Sequence, residues 1–120
     1  MIKKKFGKPQ ATFSEKVLAL ALRIPEGRVT TYGNIARAAG GGGMASQSIT
    51  AILGKAYDKG EKGIPFHRIV YANGRVWMHE EYREKRTRLY RREKIQLNDR
   101  DCIIDFDTVV LDADDLLKLQ

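Results

Sequence analysis

Thr30-Thr31-Tyr32-Gly33-Asn34-Ile35-Ala36-Arg37-Ala38-Ala39-Gly40, Gly41-Gly42-Gly43-Met44 and Ala45-Ser46-Gln47-Ser48-Ile49-Thr50-Ala51-Ile52-Leu53 follow one another without a break. Thr30 and Thr31 offer hydroxyl oxygens to the free N–H groups of a helix start. A short helix through Ile35, Ala36 and Ala39 should stop at Gly40, which supplies the left-handed conformation that helices often end on. The four glycines form a flexible joint and lack the flanking strand and spacing of a phosphate-cradling loop. A further helix is expected over about Ala45 to Ala56, with Ile49, Ile52 and Leu53 facing inward and Ser46, Gln47 and Thr50 forming a small polar face. Helix, glycine turn and helix fit a helix-turn-helix, though on pattern alone an ordinary helical hairpin is the commoner reading.

On the N-terminal side, Thr12 and Glu15 make a capping box ahead of a helix carrying Phe13, Val17, Leu20 and Ala21 at helical spacing. Ile24-Pro25-Glu26-Gly27 ends that helix in a turn. On the C-terminal side, Tyr57 to Gly63 reads as a polar loop. Ile69-Val70-Tyr71, Asn73-Gly74 and Val76-Trp77 predict a β-hairpin. A strongly basic helix is expected over about Glu80 to Lys94, with Tyr82, Arg86, Leu89, Tyr90 and Glu93 on one face. Its arginines form either a solvated face or phosphate contacts. Ile103-Ile104 and Val109-Val110-Leu111 suggest two short strands around an acidic turn, and Asp112 caps a last helical turn through Leu116 and Leu117.

The chain has 120 residues, enough for one modest core. Three segments are expected: a basic arm over 1–11, a domain over 12–97, and an acidic extension over 98–120 that packs on the same domain. Residues 1–97 carry 20 Lys and Arg against 8 Asp and Glu, and residues 98–120 carry 2 against 7. The body is therefore +12 and the end −5, which points the body at a polyanion. No apolar run is long enough to span a membrane, and the basic start Met1 to Lys5 has no apolar stretch behind it. The one cysteine, Cys102, leaves no internal disulfide, in keeping with a reducing cytoplasm.

Ile64-Pro65-Phe66-His67-Arg68-Ile69-Val70 resembles the active-site signature of the alkylguanine-DNA alkyltransferases, Pro-Cys-His-Arg followed by apolar residues. The likeness runs from about Phe13 to Glu93, in the family's order. It includes Ile24-Pro25-Glu26-Gly27 and Thr30-Thr31-Tyr32-Gly33 ahead of the helix-turn-helix. In that family the cysteine thiolate accepts an alkyl group from damaged guanine. Phe66 stands in its place, and a phenyl ring has no lone pair to attack with. This is the pattern of the alkyltransferase-like proteins.

The resemblance implies an α/β, mostly α, winged helix-turn-helix-like domain with a small hairpin and extra C-terminal strands. It implies a non-catalytic protein of DNA repair that binds alkylated guanine through the minor groove by flipping the base. His67 and Glu93 match the histidine and glutamate that deprotonate the family's cysteine and are expected here as an orienting pair. Tyr32 matches the tyrosine that helps rotate the nucleotide out. Ala45, Ser46, Gln47 and Thr50 should meet the groove, and Arg68 should bind phosphate or steady the loops. Gln47 stands where the family has an inserted arginine, and Thr50 where it prefers glycine. Asp58 falls near an asparagine that braces the family's active site. Phe66, Val76, Trp77 and Met78 are expected to wall the pocket for the alkylated base. The expected partners are double-stranded DNA and nucleotide excision repair proteins, with no membrane, no cofactor and no metal. The protein is expected to be a cytoplasmic monomer, nucleoid-associated in a bacterium. A helix-turn-helix regulator without lesion preference is the alternative.

Overall fold

The protein is described by a computed structural model that covers residues 11–42 and 44–119. Helix α1 (Phe13–Leu22) opens on the expected capping box, with the Glu15 N–H donating to Thr12 Oγ1 and the Thr12 N–H to Glu15 Oε1. Strand β1 (Val29–Thr31) runs directly into α2 (Tyr32–Ala38), which Thr31 caps by accepting from the Asn34 N–H. The next helix is divided. A 3₁₀ turn over Ala45–Ser48 leads into α3 (Ile49–Asp58), so Ser46 and Gln47 stand on the tighter turn and not on the α-helix expected from Ala45. A second 3₁₀ turn, Phe66–Arg68, leads to β2 (Ile69–Val70). A third, Glu80–Tyr82, leads to the basic helix α4 (Arg83–Arg92). The chain closes with α5 (Phe106–Val109), β3 (Val110–Leu111) and α6 (Ala113–Leu117).

The fold is mostly helical, around a three-stranded sheet of order β2-β1-β3. Both pairings are parallel, with Thr30 opposite Ile69 and also opposite Leu111. The expected hairpin is therefore corrected. The chain does turn at Asn73-Gly74, where the Tyr71 N–H reaches the Arg75 carbonyl, but Arg75 bridges Cys102 and the Val76 N–H donates to the Asp101 carbonyl. Ile69 and Val70 instead lie in the sheet, 2% and 0% exposed. Strands buried on both faces carry uninterrupted apolar residues, as parallel strands do, and Ile69-Val70 is such a run.

Two apolar clusters flank the sheet. The larger joins α1, α2 and α3 through Val17, Leu20, Ile35, Ile49 and Leu53, and also takes in Leu111 and Leu116 from the C-terminal segment. The smaller collects Val29, Val70, Val76, Tyr90, Ile95 and Ile103. Of the two strands expected in the acidic segment, only Val110–Leu111 forms; Ile103 makes a single bridge to Leu97. Asp112 caps α6 with a second capping box, and Leu116 is fully buried. Gly41 allows the turn after α2 to close: a Cβ there would lie 2.5 Å from the Ala45 Cβ and 2.8 Å from the Phe13 ring. Gly43, the basic arm up to Gln10 and the terminal Gln120 lie outside the described residues. Among the described residues, no helix is long and apolar enough to cross a membrane.

Candidate nucleic-acid interface

The loop from Pro65 is anchored from behind by one carboxylate. Glu93 sits just past the end of α4, with its side chain 3% exposed. His67 Nε2 lies 2.6 Å from Glu93 Oε2, Arg68 Nη2 lies 2.8 Å from the same oxygen, and the Gly27 N–H donates to Oε1 at 3.0 Å. Burial pushes the Glu93 carboxyl up. The hydrogen bonds from Arg68, His67 and Gly27 outweigh that and bring it down to about 2. Burial lowers the His67 pKa, against the pull of Glu93. A neutral imidazole beside an ionised carboxylate must carry its proton on Nε2 and donate it. The buried Tyr90 hydroxyl donates to the His67 carbonyl at 2.6 Å, so α4 holds both ends of this histidine.

Arg68 is engaged inside the protein. Its Nε and Nη2 are taken by Glu93, and its Nη1 donates to the Ile24 carbonyl at 2.8 Å. Of the two roles open to it, the geometry supports steadying the loops: it ties the turn after α1 to the Pro65 loop.

In front of this anchor, the half-buried Phe66 ring meets Tyr57 edge-on at 6.0 Å and forms a wall common to two clefts. The first, of about 560 Å³, opens onto Tyr32, Ser46, Gln47 and Thr50. Tyr32 packs 5.6 Å from Tyr71; burial raises its phenol pKa, and its hydroxyl meets Thr50. Gln47 is exposed, its amide 4.0 Å from Met44 Sδ. The cleft therefore brings Tyr32, Ser46, Gln47 and Thr50, expected on the DNA-facing side, together with Phe66, expected in the base pocket. Ala45 packs against the larger core cluster and does not line it.

The second cleft, of about 540 Å³, continues beyond Phe66 and reaches Tyr57, Asp58, Lys62, Tyr82 and Lys85. Trp77 and Arg86 line both clefts, with the Arg86 guanidinium 5.1 Å from the centre of the Trp77 ring. Of the three residues expected to form the alkyl wall beside Phe66, only Trp77 is there. Val76 is 1% exposed inside the smaller core cluster, and Met78 packs against that cluster. Their backbone follows the turn at Gly74 toward the C-terminal segment, which carries both side chains inward. Tyr71 and Arg86 were missed as site residues. Arg86 shares a helix face with Tyr90 and Glu93, and that spacing was the signal available.

Helix α2, the turn after it and the Ala45–Ser48 and α3 segment make a helix-turn-helix frame, with an aromatic cleft and a buried His–Glu pair behind Phe66. Residues 12–95 match the family described as 6-O-methylguanine DNA methyltransferase, DNA binding domain. The chain belongs to that family. It is 37% identical over 65 residues to the DNA base-flipping protein of Escherichia coli (strain K12), across 54% of this chain and 48% of that one. The DNA base-flipping protein of Shigella flexneri is similar to the same extent. The alignments span about half the length of these curated relatives. The fold resembles that of S. pombe Atl1, solved in complex with damaged DNA containing O6-carboxymethylguanine. That likeness has a TM-score of 0.64 at 21% identity and covers 82% of this chain and 94% of the other.

Proposed function

We propose that this protein binds double-stranded DNA, flips an alkylated guanine into the cleft between Gln47 and Phe66, and leaves the alkyl group where it is. The observation that carries this reading is the pairing of Phe66 with an intact His67–Glu93 anchor behind it. The anchor holds the loop in place, while the residue it would activate has no ionisable group. The relatives named for base flipping support the same reading. The small faces of Ser46 and Thr50 suit a minor groove, and Gln47 is free to fill the gap in the stack and to hydrogen-bond the orphaned base. Capture without chemistry fits a mark for nucleotide excision repair proteins, made by a cytoplasmic monomer whose DNA-binding domain spans 12–97.

Incubation with a duplex containing O6-methylguanine, followed by intact-mass measurement, is the test. The protein mass stays unchanged and the methyl group stays on the DNA. Gain of one methyl, at Cys102 or elsewhere on the chain, overturns the non-catalytic part of the proposal. The alternative, a helix-turn-helix regulator without lesion preference, draws on Gln47: it lacks the charge and stacking plane of arginine, which weakens insertion into a duplex.

A further inference from the structure

We infer that the second cleft reads the charge of the lesion and favours an O6 substituent that ends in an anion. This rests on the proposal that the flipped base occupies the first cleft. Phe66, Trp77 and Arg86 line both clefts, so a substituent leaving the base past the Phe66 ring enters the second.

Three cations line that second space, Lys62, Lys85 and Arg86, against one carboxylate, Asp58. Among the described residues none of the three forms an ion pair. The salt bridges of α4 and the turn before it use Arg83 and Arg88, toward Glu80, Asp101 and Glu84. Lys62 is also held in position: its Nζ donates to the Tyr57 carbonyl at 2.8 Å and lies 3.8 Å from the centre of the Tyr57 ring. One N–H used on a carbonyl leaves two for an incoming acceptor. Arg86 is fixed against Trp77 in the same way, across the boundary between the clefts. An ammonium already ordered and without a counter-ion gains more from an incoming carboxylate than one already paired. Lys62 and Lys85 are exposed, so the attraction acts through solvent and is strongest at low salt. A neutral substituent of the same length meets the same walls without the charge term. Asp58 opposes the effect but is outnumbered.

The experiment is an equilibrium titration of the full chain against four duplexes of one sequence, carrying guanine, O6-methylguanine, O6-carboxymethylguanine or its neutral carbamoylmethyl counterpart. The carboxymethyl duplex is expected to bind about five- to tenfold more tightly than the carbamoylmethyl one, a ratio that shrinks as salt is raised. In the double variant Lys62→Gln/Lys85→Gln the ratio falls toward one. Using a ratio cancels the general loss of DNA attraction that removing two charges brings. A ratio of one in the unmodified protein, with every lesion still preferred over guanine, overturns the charge reading and leaves lesion capture standing. Equal binding of all four duplexes overturns both. A ratio that persists in the double variant overturns the assignment to these lysines.

Discussion

Glu93→Ala is expected to lower the unfolding free energy by about 3–5 kcal/mol, the usual consequence of removing one partner of a buried ion pair. The size follows from what is left behind. Arg68 loses its carboxylate while its guanidinium stays largely buried, and His67 and the Gly27 N–H lose their acceptor. Glu84→Ala is the control. Its pair with Arg88 is exposed on both sides and is worth only about 0.3–0.5 kcal/mol as an i,i+4 contact. Urea unfolding of both variants measures the difference.

The same cluster fixes the pH dependence. Glu93 has a folded pKa of about 2 against an ordinary 4.5, so its contribution is fully present above 4.5 and is lost as pH falls toward 2. His67 is also lowered, from 6.5, so the unfolded chain takes up its proton first and stability starts to decline as pH falls through 6.5. The urea midpoint should thus hold on the alkaline side, slip below 6.5 and drop more steeply below 4.5. A flat profile from neutral to pH 4 would show that neither group is coupled to folding.

The second large effect is removal of residues 98–120. Leu116 is fully buried, and Leu111 and Ile103 are 5% and 6% exposed, spread over both core clusters. Burying each such side chain contributes roughly 1.5–3 kcal/mol, so the three together approach the roughly 5–15 kcal/mol that holds a whole domain folded. Truncation also removes β3. Thr30 Oγ1 and Asn34 Nδ2 then lose the Leu111 carbonyl as their acceptor, and Arg28 Nε loses that of Val109. We expect a truncated chain without a cooperative thermal transition, followed by circular dichroism. A folded product that binds DNA more tightly would instead mean that the acidic segment shields the basic face.

That segment also marks the limit of what could be read from sequence. Local chemistry was legible: the capping boxes at Thr12 and Asp112 and the turn at Gly74 all formed as their side chains and backbone require. Partner choice was not. Ile69-Val70 and Val76-Trp77 look like the arms of a hairpin because short apolar runs on either side of Asn73-Gly74 are a local signal. The parallel pairing of Val29–Thr31 with both Ile69–Val70 and Val110–Leu111 depends on contacts about 40 to 80 residues apart in sequence. The site divides the same way. Phe66, His67, Tyr32 and Gln47 could be placed from their motifs. Arg68 was ambiguous because only the fold brings Glu93 and the Ile24 carbonyl around it. Val76 and Met78 were expected at the cleft from the match to the family's substrate-lining loop; alternate residues of an extended segment face opposite sides, so with Trp77 at the cleft its two neighbours turn to the smaller core cluster.

Lesion capture without chemistry is tested most directly by titrating the full chain against two otherwise identical duplexes, one with guanine and one with O6-methylguanine, at several salt concentrations. The cleft between Gln47 and Phe66 predicts tighter binding of the methylated duplex, about tenfold or more, equivalent to at least ~1.4 kcal/mol, with the preference retained as salt rises. Equal affinities that fall together with salt would contradict it, and would leave a helix-turn-helix protein held to DNA by its charge alone.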